Sequence, residues 1–237
     1  FRMSDRITVL RDGQFVSTLT TSDATIREVT HFMVGRDLGD NVHSYSRQPG
    51  KLLLQLENLS LPWTGHARQW RLKDINLELR QGEVLGLAGL MGAGRTELLE
   101  CLFGTSPEPP EGRIIMEGKE VRFSHPSEAM RAGVAFVSED RKRVGWFDHM
   151  TVRANSKLCV LKQAVRAGVV FGRFEREITQ QQINRFQIKT DGMEAPISSL
   201  SGGNQQKCLI ARWVRTNPKI LLLDDPTRGV DVGAKAE

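Results

Sequence analysis

The segment GEVLGLAGLMGAGRTELLECLF, residues 82–103, limits the fold of this chain more than any other stretch. The apolar run at 82–88 predicts a short strand, the glycines that follow predict a tight loop, and residues 97–103 predict a helix. Within the loop the spacing is G-x-x-x-x-G-[KR]-[ST]: Gly89, Gly92, Ala93 and Gly94 lead to Arg95 and Thr96, with Arg95 where lysine is usual. Glycines allow backbone N–H groups to turn inward around phosphate oxygens at a helix N-terminus, and a hydroxyl placed like that of Thr96 can ligate Mg²⁺. The competing structural explanation is a Gly-rich turn that only lets the helix pack closely.

The rest of the chain must supply a core around this unit. With 237 residues and 39% hydrophobic content, one or two domains are expected. No uncharged apolar run reaches the roughly 18 residues of a membrane-spanning helix, and no signal peptide is expected. Cys101, Cys159 and Cys208 are widely spaced without a CxxC pair, which fits reduced, buried thiols better than a disulfide or zinc framework. Strands are expected at 6–10 and 15–19 around Asp12-Gly13, then a helix capped by Ser22 or Asp23 and ended by Gly35. Residues 36–50 are polar and read as a linker. Further strands are expected at 52–56, 75–79, around Glu117-Gly118, at 134–137 and at 220–223, with helical material at 151–185.

Two more constellations carry chemistry. The apolar strand 220–223 ends on Asp224-Asp225; Asp224 is placed to hold Mg²⁺ beside phosphates, and Asp225 to orient or deprotonate an attacking water. Helix capping by Asp225 would explain one acid but not both. Between the loop and these acids lies LSGGNQQK, residues 200–207, where Ser201, Gly202 and Gly203 offer donors at a helix N-terminus. An ordinary serine cap is the alternative there.

The order of phosphate loop, LSGG and paired acids resembles the ATP-binding cassette family, with Asp224-Asp225 in the Walker B position. The resemblance implies an α/β, P-loop NTPase core with a mainly parallel sheet, an antiparallel β-subdomain, and a helical signature subdomain over about 151–199. It implies that Trp63 stacks on adenine, with Trp70 as a rival, and that Glu139 replaces the Q-loop glutamine that senses Mg²⁺ and meets the membrane subunits. It also implies that Asp231 belongs to the loop meeting the opposite cassette. ATP and Mg²⁺ are the implied cofactors. Residues 89–97, 138–143, 200–207 and 225–231 look most like the second cassette of tandem ATPases that drive bacterial monosaccharide importers of the ribose, galactose and xylose type. Residues 5–13 look like the tail of a first cassette.

The expected organisation is therefore a first-cassette remnant at 1–34, a linker at 35–50 and a second cassette at 51–237, cut at both ends. In such pairs each ATP lies between the phosphate loop of one cassette and the signature of the other. Arg95 presents a planar fork where lysine presents a point charge, and Asp225 is one methylene shorter than the usual glutamate. Misplacement by about an ångström costs on the order of a hundredfold in rate, so this site is expected to bind Mg-ATP and hydrolyse it slowly. Its LSGG is expected to complete the partner site.

Expected partners are the first cassette, transmembrane permease subunits and, indirectly, a periplasmic or extracellular sugar-binding protein, on the cytoplasmic face of the membrane. The alternatives are a cassette ATPase on nucleic acid or the ribosome, and a nucleotide sensor without turnover. Residues 122–189 carry thirteen Lys/Arg against six Asp/Glu. No Arg-aromatic array accompanies them and no heptad repeat separates the motifs, so nucleic acid is not expected.

Overall fold

The computed structural model describes residues 3–11, 13–35, 48–160, 165–166, 169–170, 172–228 and 230. They fall into two compact units, one containing residues up to 45 and one spanning 46–228. In the first, strands β1 (Arg6–Arg11) and β2 (Gln14–Thr20) form an antiparallel hairpin, followed by helix α1 (Ile26–Val34). Gly13 takes a φ of 75°, the conformation that its place in the turn requires. The cap of α1 is Thr25, not Ser22 or Asp23, because its side chain accepts the Glu28 N–H at 3.1 Å. The expected linker lies mostly outside the described residues.

The larger unit opens with a long bulged hairpin, β3 (Leu52–Pro62) and β4 (Trp70–Arg80). Strands β5 (Glu111–Met116) and β6 (Lys119–Val121) extend it to a four-stranded antiparallel sheet ordered β4-β3-β5-β6. Alternation along β3 sends Leu54 and Leu56 inward, where they meet helix α2 (Arg95–Phe103) in the main core. Helix α3 (Pro126–Ala132) leads into β7 (Val134–Val137), which pairs in parallel with β10 (Ile220–Leu223). Both strands are almost wholly apolar, as strands covered on two faces must be. Phe103, Phe136 and Trp213 pack edge to face and tilted in this core.

The expected strand at 82–88 does not form. This segment makes no ladder, and Val84, Leu85 and Leu87 are exposed. Together with Leu221, Leu222 and Leu223 of β10 it lines a largely apolar cavity of about 490 Å³, and it pairs with no strand.

A second core holds the helical lobe together through Trp146, Val152, Ile188, Ile197, Leu200, Cys208 and Ala211. Its helices are α4 (Val152–Lys157), α5 (Gly172–Arg185) and α6 (Gly202–Val214). Between α4 and α5 the expected helix is interrupted by two antiparallel strands of two residues each, β8 (Val165–Arg166) and β9 (Val169–Val170). The buried Asn155 accepts the Phe147 N–H and donates to the Phe147, Met150 and Thr151 carbonyls, fixing the turn that enters α4. Among the described residues no helix is long and apolar enough to cross a membrane.

Candidate functional site: a phosphate loop beside two strand ends

The loop reverses at residues 90–93, where the Ala93 N–H donates to the Leu90 carbonyl at 3.1 Å. Gly92 and Gly94 have φ of 76° and 91°, so left-handed backbone delivers the chain into α2. Gly94 is the cap residue and no side chain caps the helix, which leaves the first N–H groups of α2 open to an anion. A Cβ on Gly89 would lie 2.8 Å from the Ala93 methyl, so the loop closes on itself only with glycine there.

The first turn of α2 meets the end of β10. Thr96 Oγ1 donates to Asp224 Oδ2 at 2.9 Å, a bond between residues 128 positions apart. The Asp224 N–H continues the parallel ladder to the Val137 carbonyl at 2.9 Å, so the strand itself sets its side chain. Asp224 is only 5% exposed. Burial raises its carboxyl above the usual carboxylate range; the Thr96 hydroxyl and the Arg95 charge oppose this, and Asp225 and Glu97 add to it. A buried carboxylate held up in this way gains from a divalent cation. The all-oxygen pair of Thr96 and Asp224 suits Mg²⁺, which takes one or two protein oxygens and fills its octahedron with water and phosphate. Among the described residues no three His, Cys, Asp or Glu side chains cluster to make an all-protein metal site.

Asp225 is exposed with a φ of 37°, and its carbonyl accepts the Arg228 N–H at 3.0 Å. That turn points Arg228 back to Glu139, just beyond β7, and the two form an ion pair. The carboxylate of Glu139 therefore faces a guanidinium. Asp224, Asp225, Glu139 and Arg228 all lie past the C-terminal ends of the parallel pair, where open α/β sheets place their ligands.

Trp63 stands at the end of β3. The Arg71 guanidinium carbon is 5.0 Å from its ring centre, and the Arg71 carbonyl oxygen is 3.3 Å from where a Gly94 Cβ would stand. One residue thus touches both the indole and the phosphate loop. Trp70, the rival aromatic, pairs with Pro62 across the hairpin.

Ser201, Gly202 and Gly203 belong to the helical lobe at the start of α6. Ser201 is the cap residue, and its hydroxyl accepts from Asn204 Nδ2 at 2.9 Å instead of from a helix N–H. Asp231 lies outside the described residues. Sequence reasoning missed Arg71 and Arg228. Arg228 sat in the quoted stretch 225–231 without a role, and Arg71 carries no motif, its importance arising only from the β3–β4 register.

A glycine loop over a helix N-terminus, an acid at the end of a buried parallel strand and a hydroxyl joining them define a phosphate-loop α/β domain. A family model described as ABC transporter matches residues 72–228, and the chain belongs to the ABC transporter family. It is 42% identical over 237 residues, covering all of this chain and 46% of the relative, to the ribose import ATP-binding protein RbsA of Oceanobacillus iheyensis. Identity to the protein of the same name from Chromobacterium violaceum is 44%, with the same 100% and 46% coverage. A putative ribose/galactose/methyl galactoside import ATP-binding protein of Hahella chejuensis is 40% identical, with coverage of 100% and 45%. The chain thus spans about half the length of the curated relatives it matches. The dimeric post-hydrolysis structure of the ATP-binding cassette MJ0796, bound to ADP and Pi, shares the fold at a TM-score of 0.64 and 21% identity, covering 78% of this chain and 79% of that one. The structure of cbiO1 from Clostridium perfringens, part of the ABC transporter complex cbiONQ, aligns with a TM-score of 0.61 at 24% identity, covering 78% and 70%.

Proposed function

We propose that this chain is an ATP-binding part of a membrane importer for a simple sugar, and that it couples ATP binding and hydrolysis to transport. The observation that carries the reading is the Thr96–Asp224 hydrogen bond, which joins the phosphate loop to the strand-end acid. The names of the ribose and galactose import relatives support the sugar, and their greater length is compatible with a second cassette in the same polypeptide.

In this reading the loop residues Gly89, Gly92, Ala93 and Gly94 and the open N–H groups of α2 receive phosphate oxygens, Arg95 adds positive charge, and Trp63 receives the base. Thr96 and Asp224 would hold Mg²⁺, which would supply positive charge to offset that of the phosphates. Glu139, paired with Arg228, would adjoin the bound metal through its carboxylate, and Asp231 meets the opposite cassette. Asp225 holds the attacking water, but its short side chain and the Arg95 fork make this site a slow one. Ser201, Gly202 and Gly203 act on a nucleotide bound by the other cassette. The domain assignment that follows has residues 1–34 ending a first cassette, 35–50 linking, and the remainder belonging to a second. Permease subunits and a sugar-binding protein complete the assembly at the cytoplasmic face.

The test is transport-coupled ATPase of the intact importer. Ser201→Arg is expected to lower it far more than Arg95→Ala does. The reverse order would show that the productive site uses this phosphate loop.

A further inference from the structure

Trp63 is not waiting bare. The His66 ring stacks on it with centroids 3.7 Å apart and planes inclined by 8°. That spacing leaves no room for a third ring on the same face. The loop between β3 and β4 is built to make this contact. Trp63 N–H donates to the Gln69 carbonyl at 2.8 Å and closes the loop, and Gly65 reverses the chain with a φ of 76°. His66 N–H donates to the Trp63 carbonyl at 3.3 Å, and the Arg68 N–H donates to His66 Nδ1 at 3.1 Å, which sets the orientation of the ring. Arg71 connects this covered indole to the phosphate loop, since its guanidinium lies over Trp63 while its carbonyl abuts Gly94.

We propose that His66 is a built-in occupant of the base platform, covering Trp63 in the nucleotide-free chain and leaving when a nucleotide base stacks there. The proposal rests on the reading of Trp63 as that platform. An indole offers any flat π-system the same attraction, so imidazole and base compete for one surface. Each binding event must first undo the internal stack, which lowers the apparent affinity by the fraction of chains in which the platform is free. His66 is thus an affinity-setting residue for a group it does not itself bind. Because the hairpin tip carrying it is exposed, the ring has open solvent to swing into.

Mg-ATP binding to the 237-residue chain by titration calorimetry tests this. His66→Ala is expected to tighten binding by about three- to tenfold, the value of one aromatic pair. His66→Phe keeps a ring on the indole and is expected to bind no more tightly than the parent. Trp63→Ala is expected to weaken binding. Independently, the His66 ring-proton resonances, assigned by their loss in His66→Ala, should be shifted upfield by the indole and return to ordinary positions at saturating ATP. If Trp63→Ala weakens binding while His66→Ala leaves it unchanged or weaker, the displacement is wrong and the platform stands. If Trp63→Ala changes nothing, the platform falls and takes the displacement with it. Resonances that stay upfield at saturation would overturn the displacement as well.

Discussion

Gly94→Ala and Gly92→Ala change the same loop by one methyl each, yet the structure assigns them different costs. Both sites have left-handed backbone, which costs an alanine roughly 1 kcal/mol or somewhat more. Around Gly92 nothing lies within 4 Å of the added Cβ, so that cost stands alone. At Gly94 the methyl would arrive 2.5 Å from Leu72 Cδ2 and 3.3 Å from the Arg71 carbonyl. Leu72 is 5% exposed and belongs to the main core, so it has little room to retreat. Overpacking of this kind adds about 1–3 kcal/mol, bringing Gly94→Ala to about 3 kcal/mol in all. For a unit of this size about 1 kcal/mol corresponds to about 3 °C. Differential scanning calorimetry should therefore show Tm falling by about 3 °C for Gly92→Ala and by about 9 °C for Gly94→Ala. Equal shifts, or a smaller one at Gly94, would refute the claim that the loop is wedged against β4.

Two further expectations concern the helical lobe and the thiols. Glu175, with a side chain only 3% exposed, pairs with Arg153 at 2.7 Å and Lys157 at 2.5 Å; removing it in Glu175→Ala strands the Lys157 ammonium and leaves Arg153 only its pairing with Glu194, and should cost about 2–3 kcal/mol in urea unfolding. Glu194→Ala, at the exposed end of the same cluster, should leave the midpoint nearly unchanged; comparable losses would mean that burial does not set the value of the cluster. Burial pushes the Cys101 thiol up to about 11 and the Cys208 thiol up to about 12. At pH 8 each is then about one part in a thousand thiolate or less, so a disulfide reagent should label neither in the folded chain, with slow reaction rising about tenfold per pH unit and all three cysteines reacting in urea. Rapid labelling of Cys208 in the native chain at pH 8 would contradict the buried position of α6.

Periodic features of the sequence translated directly into structure. Glu117-Gly118 turns β5 into β6 with φ of 50° and 77°, and the run at 220–223 forms the parallel strand whose end carries Asp224. The glycine spacing at 89–94 was legible because each glycine has a local reason to be one. What stayed hidden depended on partners distant in sequence. Residues 82–88 have the composition of a buried strand, but a strand exists only when another backbone pairs with it, and here the segment pairs with none and lines a cavity. The antiparallel pair β8 and β9 interrupts a stretch whose charge and glutamine content favour helix. The cap of α1 fell on Thr25 because capping is decided by which hydroxyl reaches the third N–H, not by which capping residue comes first. The pairing of Glu139 with Arg228 joins two loops 89 positions apart by sequence numbering, and nothing in either motif predicts it.

In the proposed reading the phosphate loop and Asp224 form one metal-assisted nucleotide site. Calorimetric titration of ATP into the chain, with Mg²⁺ and then with EDTA, tests it against Thr96→Val and Asp224→Asn. The parent is expected to bind ATP about tenfold or more tightly with the metal than without it, a gain carried by the hard oxygens of Thr96 and Asp224. Both variants are expected to lose that gain and to bind alike in the two buffers. Variants that keep the parent's affinity and its full dependence on Mg²⁺ would rule out a shared site at Thr96 and Asp224.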